Sequence, residues 1–335
     1  MKQRLFYLLI AVFRGVFSSF AQTDSDESIR KETYTYAIKD KDTLRLDKYD
    51  LPSLTKDKPC VIFVFGGGFV NGNRDKEHYL PYFRSLASDG YAVVSIDYRL
   101  GFRKAMEENK RIEKQTGKKR QMVPMDALGI FQNTIYMAVE DLYSATNYIL
   151  EHSKDWNIDK DRIIISGSSA GAITVLQGEY ERCNESELSK KLPHNFKFAG
   201  VIAFAGAIFS MNGDLEWKST PAPIQMFHGD ADSNVPYSAV TIPQTPLGFY
   251  GSKYIAGKLQ DKKAPYYFYD VENARHEIAG SPMRENLSEI KTFLYKFVEK
   301  KEPLIIHTNV RQTNKKEINK QFGIEDYIKA NGLAF

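Results

Sequence analysis

Cysteine is nearly absent from this 335-residue chain: Cys60 and Cys183 are the only two. No disulfide framework can therefore hold the fold, and neither C-x-x-C nor H-E-x-x-H occurs, so the sequence makes no case for a metal site. Histidine is scarce as well; six residues leave few places for a general base. Past the N-terminus no apolar run approaches the ~20 residues that a membrane-crossing helix needs. No internal repeat or low-complexity tract occurs. Strong charge is missing too. The formal net charge is +4, and Lys2, Arg4 and Arg14 supply three of these charges before the first acid, Asp24; without residues 1–21 the balance is +1. That is not the electrostatic footprint of a nucleic-acid or anionic-membrane partner.

What is present is a chain of 42% hydrophobic and 13% aromatic residues, ample for a buried core. Residues 1–21 read as an export signal: basic Lys2 and Arg4, an apolar run from Leu5 to Phe13 that Arg14 interrupts, and small residues at Ser19 and Ala21. The expected mature start is Gln22 and the expected location periplasmic or secreted, with a retained N-terminal anchor or a buried helix as the other readings.

Periodicity then divides the chain. Thr33 to Ile38 and Thr43 to Tyr49 alternate in polarity around Lys39-Asp40-Lys41-Asp42, the pattern of an antiparallel hairpin at a sheet edge. Val61–Phe65, Tyr91–Ile96, Arg162–Ile165, Phe198–Phe204, Ile224–Phe227 and Tyr266–Tyr269 are short apolar runs, as in strands covered on both faces. Segments of helical period lie between them, including Tyr79 to Ser88, Ile135 to Glu151 and Ser288 to Lys300. The alternation predicts an α/β domain over 22–300 with a doubly wound, mostly parallel sheet and an N-terminal hairpin. Two segments fall outside it. Gly101 to Phe131 is a charged insertion with eight bases against four acids, read either as a lid or substrate-contacting loop or as a solvated helix. Residues 301–335 form a polar tail that either packs on the sheet edge or stays mobile.

Gly167-Ser168-Ser169-Ala170-Gly171 joins the run ending at Ile165 to a helix-competent run, Ala172 to Leu176. A tight strand-to-helix turn leaves no room for side chains beside the central residue, so Ser169 flanked by glycines reads as a nucleophile held on an elbow. A serine hydroxyl needs a histidine to take its proton and an acid to orient that histidine. In the Ser, acid, His order that accompanies the elbow, His78 and His152 lie upstream, His194 precedes a strand, His228 ends the strand that should carry the acid, and His307 lies in the tail. His276 remains, in the loop after Tyr266 to Val271. The acid falls in Gly229-Asp230-Ala231-Asp232, at the carboxyl end of a buried strand, with Asp232 favoured and Asp230 as its rival. Phe65-Gly66-Gly67-Gly68-Phe69 closes the first buried strand, and its glycines can aim backbone N–H groups at a developing oxyanion. A dinucleotide fingerprint would need glycine where Asn71 stands, and a phosphate-binding loop would need Lys and Ser/Thr where Asn73 and Arg74 stand.

On Gly66-Gly67-Gly68-Phe69, Asp97-Tyr98-Arg99-Leu100, Gly167 to Gly171, Asp232-Ser233-Asn234-Val235-Pro236 and His276, residues 33–300 resemble the α/β-hydrolase fold in its carboxylesterase and lipase branch. The resemblance implies Ser169 as nucleophile, Asp232 and His276 as its triad partners, and the N–H groups of Gly67, Gly68 and Ala170 as oxyanion hole, with no cofactor. It gives the Asp-Tyr-Arg piece a structural part. Many relatives carry histidine where Phe65 stands, so the hydrogen bonding of this loop is expected to differ. The expected activity is a serine esterase on small-molecule or carbohydrate esters, with acetyl or feruloyl esters of polysaccharide favoured by family analogy. A prolyl-oligopeptidase-type peptidase shares the residue order, but the expected N-terminal propeller-sized domain does not appear in this sequence and the three-glycine loop resembles esterases more closely; a non-catalytic binding protein on the same fold is the third reading.

Overall fold

The computed structural model describes residues 29–52, 57–117 and 124–330; the export reading of residues 1–21 lies outside them. The alternating segments pair as β1 (Arg30–Lys39) and β2 (Asp42–Asp50), antiparallel about the turn at Asp40. Next come β3 (Lys58–Val64), α1 (Leu80–Ser88), β4 (Ala92–Ile96), α2 (Gly101–Thr116), α3 (Pro124–Glu151), the single turn α4 (Ser153–Trp156), β5 (Ile158–Ser168) and α5 (Ala170–Cys183). The second half runs β6 (Gly200–Phe204), β7 (Ala207–Ser210), β8 (Ile224–Gly229), β9 (Ala239–Thr241), β10 (Gly248–Gly251), α6 (Ser252–Asp261) and β11 (Tyr266–Val271). It closes with α7 (Pro282–Glu285), α8 (Leu287–Phe293) continued by a wider turn to Glu299, β12 (Ile305–Val310) and α9 (Ile324–Ala330).

Nine strands make one sheet in the order β1-β2-β4-β3-β5-β6-β8-β11-β12. Only the β1/β2 and β2/β4 pairs are antiparallel; from β4 to β12 every pair is parallel. Successive residues of a strand point to opposite faces, and every residue of β3, β4, β6 and β8 is buried, so helices cover both faces. Cys60 and Cys183 are free thiols inside this core, and burial pushes both well above the ordinary range.

In its described parts, 101–117 and 124–131, the charged insertion is largely helical. The first turn of α2 sits against the chain that follows β3, with Arg103 Nε donating to Val70 O at 2.7 Å, while Lys104 pairs with Asp42 at 2.8 Å in the β1–β2 turn. The rest of α2 is largely exposed, as its charge density requires. The tail contributes β12, a parallel edge strand on β11. A second sheet, β7-β10-β9, has no counterpart in the sequence reading, because strands of three or four residues are too short to show a period.

A partly buried ion network centred on Asp141 ties the end of β4 to α3. Arg99 Nη2 lies 2.9 Å from Asp141 Oδ1 and also contacts Glu140, Lys39 Nζ lies 2.9 Å from Asp141, and Lys191 Nζ lies 2.9 Å from Glu140. Burial raises the Glu140 carboxyl, but Lys191, Arg99 and Lys39 outweigh it and bring it from 4.5 down to about 2. A depressed acid stabilises the fold above its unfolded-state value and ceases to as pH falls through its folded one. Glu140→Gln should therefore melt below wild type at pH 7, and the difference should close between pH 4.5 and about 2, as thermal melts at a series of pH values would record.

Candidate active site

β5 lies beside β3 with Gly167 opposite Val64. The residues after Val64 and those after Ser168 therefore emerge side by side at the carboxyl edge. Chain order reverses here, since β4 lies on one side of β3 and β5 on the other. Such a switch point opens the crevice in which doubly wound sheets bind ligands.

Ser169 fills the turn from β5 to α5 with φ 52° and ψ −115°, a conformation that costs a non-glycine residue ~1–3 kcal/mol. Its N–H donates to Phe204 O at 2.9 Å and its carbonyl accepts the Ile173 N–H at 2.9 Å, which fixes the bend. The second glycine of the elbow is where two backbones meet: a Cβ on Gly171 would stand 1.9 Å from Val64 O. Gly171→Ala should cost about 3 kcal/mol or more, at the upper end of overpacking effects. A urea midpoint lowered by less than a tenth would show that β3 and α5 can part without penalty.

The loop after β3 turns back on itself. Val70 and Asn71 donate their N–H groups to Gly67 O at 3.0 and 3.1 Å, and Gly67 takes φ +131° with Asn71 O where its Cβ would be. Tyr79 OH accepts the Gly66 N–H at 3.1 Å, and Tyr98 OH donates to Phe65 O at 2.9 Å. Among the described residues, the N–H groups of Gly67, Gly68 and Ala170 meet no protein acceptor. A Cβ on Gly66 would lie 3.2 Å from Ser169 Cβ, so the loop stands directly beside the elbow.

His276 opens a short 3₁₀ turn after β11, and Asp232 sits in the tight turn after β8. The structure brings both to Ser169: His276 Nε2 is 2.9 Å from Ser169 Oγ, and His276 Nδ1 is 2.8 Å from Asp232 Oδ2. A carboxylate only accepts, so Nδ1 carries the proton toward Asp232, and Nε2 presents its lone pair to the Ser169 hydroxyl. The other carboxylate oxygen, Oδ1, accepts the N–H groups of Asn234 at 2.8 Å and Val235 at 3.0 Å. Burial pushes the Asp232 carboxyl up, but hydrogen bonds and charge from His228 and His276 overcome that and hold it far below the usual carboxylate range. Asp232 is fully buried while 27% of the His276 side chain remains exposed, which leaves the imidazole reachable from the crevice.

Asp230 points elsewhere. It accepts the Asn273 N–H at 2.6 Å and pairs with Lys320 at 2.9 Å, holding the β11 loop and the C-terminal segment. In the Asp-Tyr-Arg piece, Asp97 pairs with Arg74 at 2.8 Å, Tyr98 ties down the loop after β3, and Arg99 enters the α3 network. Among the described residues no three His, Cys, Asp or Glu side chains gather as a metal site, and no helix is long and apolar enough to cross a membrane.

The BD-FAE family model matches residues 46–108 and 130–213, a span that holds the glycine loop and the elbow and ends before Asp232 and His276. The structure of a thermophilic esterase from Thermogutta terrifontis, Est2 with propionate bound, matches 82% of this chain and 95% of its own with a TM-score of 0.55 at 19% identity. The chain has the fold of the carboxylesterase-like α/β-hydrolases. At 19% identity the structural likeness is one of fold. Among curated proteins the chain is 30% identical over 115 residues to Esterase LipI of Mycobacterium tuberculosis, 34% of this chain and 27% of that protein. It is 29% identical over 136 residues to Gut esterase 1 of Caenorhabditis briggsae, 41% of this chain and 21% of that one. The chain thus spans about a quarter of the length of the curated relatives it matches.

Three residues that support the site carry no sequence signal. Ser168 Oγ donates to Ala279 O at 2.7 Å, which ties the elbow to the turn that bears His276 across 111 residues of chain. Tyr79 holds Gly66. His228, set aside in the sequence as the last part of a strand, is fully buried with its Nε2 3.3 Å from Asp232 Oδ2.

Proposed function

We propose that this protein hydrolyses carboxylic esters through an acyl-enzyme on Ser169. The observation that carries the proposal is the run of two short hydrogen bonds, Ser169 to His276 at 2.9 Å and His276 to Asp232 at 2.8 Å, beside a loop with free backbone donors. Ser169 Oγ attacks the ester carbonyl carbon as His276 Nε2 takes its proton. The carbonyl oxygen becomes an oxyanion within reach of the Gly67, Gly68 and Ala170 N–H groups, and the buried Asp232 carboxylate stabilises the imidazolium. The intermediate collapses, the C–O bond to the alcohol breaks, and the alcohol leaves with the proton from His276. Water then gives a proton to the same nitrogen and attacks the acyl carbon, and Ser169 recovers its hydrogen as the acid departs.

The names of the matching proteins, esterases of Mycobacterium tuberculosis and Caenorhabditis briggsae, support an ester over an amide. The propionate on the Thermogutta esterase favours a short acyl group. Acetyl or feruloyl esters of polysaccharide, and export directed by residues 1–21, are the finer parts of the proposal and rest on the sequence. The test is the initial rate on p-nitrophenyl acetate beside an aminoacyl p-nitroanilide, each with Ser169→Ala as control. Serine-dependent ester turnover supports the proposal, and serine-dependent anilide turnover alone replaces it with a peptidase.

A further inference from the structure

The Asp232 carboxylate serves two imidazoles. His276 approaches Oδ2 from the β11 loop at 2.8 Å, and His228, the fifth residue of β8, approaches the same oxygen with Nε2 at 3.3 Å. The second contact is within ion-pair distance but bent out of hydrogen-bond geometry, so among the described residues Nε2 of the fully buried His228 has no hydrogen-bond partner while Asp232 Oδ2 is the acceptor beside it. On its other side, His228 Nδ1 lies 2.8 Å from Ser252 Oγ at the start of α6, and that hydroxyl lies 3.3 Å from Gly206 O. Two serine–histidine arms therefore meet on one aspartate, and only one of them reaches the crevice.

The tautomer of the inner arm follows from its surroundings. With the proton on Nδ1, His228 would turn a lone pair toward a carboxylate where both side chains are fully buried, and both groups would lose hydrogen-bonding capacity there. With the proton on Nε2, the carboxylate gains a donor, and the Ser252 hydroxyl turns its single proton from Gly206 O at 3.3 Å to Nδ1 at 2.8 Å. The other titratable groups around this arm are engaged elsewhere. Tyr237 meets the His228 ring edge-on at 5.8 Å and donates its hydroxyl to Asp270 at 2.8 Å. Asp270, beside His228 in the sheet, also faces His307 at 3.4 Å. Asp230 pairs with Lys320, and burial together with the charge of Asp232 pushes the Tyr327 hydroxyl of the C-terminal segment up.

We propose that His228, locked as the Nε2–H tautomer by Ser252, is a positioning residue that pins Asp232 Oδ2 toward His276 and draws off part of the carboxylate's charge. This proposal rests on the reading of Ser169, His276 and Asp232 as the reacting set. Without the inner donor, Oδ2 swings more freely and its full charge falls on His276, which then holds a proton more tightly. The His276 imidazole must be neutral to take the Ser169 proton, so the acid limb of kcat/KM moves to higher pH.

The experiment compares wild type, His228→Leu, His228→Gln and Ser252→Ala on p-nitrophenyl acetate across pH 5 to 9, with Ser169→Ala as control. Glutamine carries an N–H at nearly the reach of Nε2. In His228→Leu, kcat should fall about tenfold with KM within twofold, and the acid limb should move up by about one pH unit, the scale of a lost specific donor. His228→Gln should restore most of both, and Ser252→Ala should fall between. Profiles that superpose after scaling would reduce His228 to a core filler, and if His228→Leu does not fold, an unmoved Ser252→Ala profile overturns the proposal alone. Nitrogen-15 spectra of the wild-type histidines give a second readout that needs no substrate. A proton on His228 Nε2 and none on Nδ1 is expected, and the opposite tautomer refutes the lock even if Ser169 proves inactive on esters, which would count against the catalytic reading instead.

Discussion

Ser169→Ala should lower kcat/KM on p-nitrophenyl acetate by about ten-thousand- to a million-fold, the range seen when a serine hydrolase loses its nucleophile. The variant should fold as wild type does. The elbow is held by backbone groups, the Ser169 N–H on Phe204 O and the Ile173 N–H on the Ser169 carbonyl, and neither involves Oγ. The φ of 52° is as strained for alanine as for serine, so the melting temperature should move by only a few degrees. Substrate binding should survive because the crevice and its backbone donors stay in place, and the loss should therefore appear in kcat. The residual rate should resist a serine-reactive fluorophosphonate that silences the wild type. A drop of less than tenfold, or a residue other than Ser169 labelled by the reagent, would place the chemistry elsewhere in the crevice.

The parts of this site legible in the sequence are those that local sterics enforce. Gly171 must be glycine because Val64 O occupies the space of its Cβ, and Gly67 because Asn71 O does the same, so each leaves its mark in the spelling. The parallel sheet is legible because strands buried on both faces read as unbroken apolar runs, as β3 and β8 do. The hairpin of β1 and β2 shows through alternation because β1 keeps one face toward solvent. What the sequence hides depends on distant pairing. Nothing near Ser168 indicates that its hydroxyl will meet Ala279 O, and nothing near His228 indicates that its ring will meet Ser252. The segment after Lys300 reads as a tail because β12 alternates between exposed and half-buried residues at the sheet edge and so lacks the apolar run of the inner strands.

Asp232→Asn should cost about ten-thousand-fold in kcat, by the loss of the correct imidazole tautomer, whereas Asp230→Asn should change kcat/KM by less than threefold. Two aspartates one residue apart thus give opposite expectations, and their hydrogen bonds explain why. At position 232 the N–H groups of Asn234 and Val235 both donate to Oδ1, so an asparagine would settle with its carbonyl oxygen there and its NH₂ in the place of Oδ2. The NH₂ would then face His276 Nδ1 and His228 Nε2 as a donor. His276 can meet a donor at Nδ1 only with a lone pair, which puts its remaining proton on Nε2 and points it at Ser169 Oγ, 2.9 Å away. An imidazole protonated on that side has no lone pair with which to accept the serine proton, so the first step stalls although every side chain is near its original position. At position 230 an asparagine keeps an oxygen for the Asn273 N–H and gives up the ion pair with Lys320, which touches neither Ser169 nor His276. Steady-state rates for the two variants at a common pH decide the matter. If Asp230→Asn proves the more damaging of the two, the acid that orients His276 in solution is Asp230.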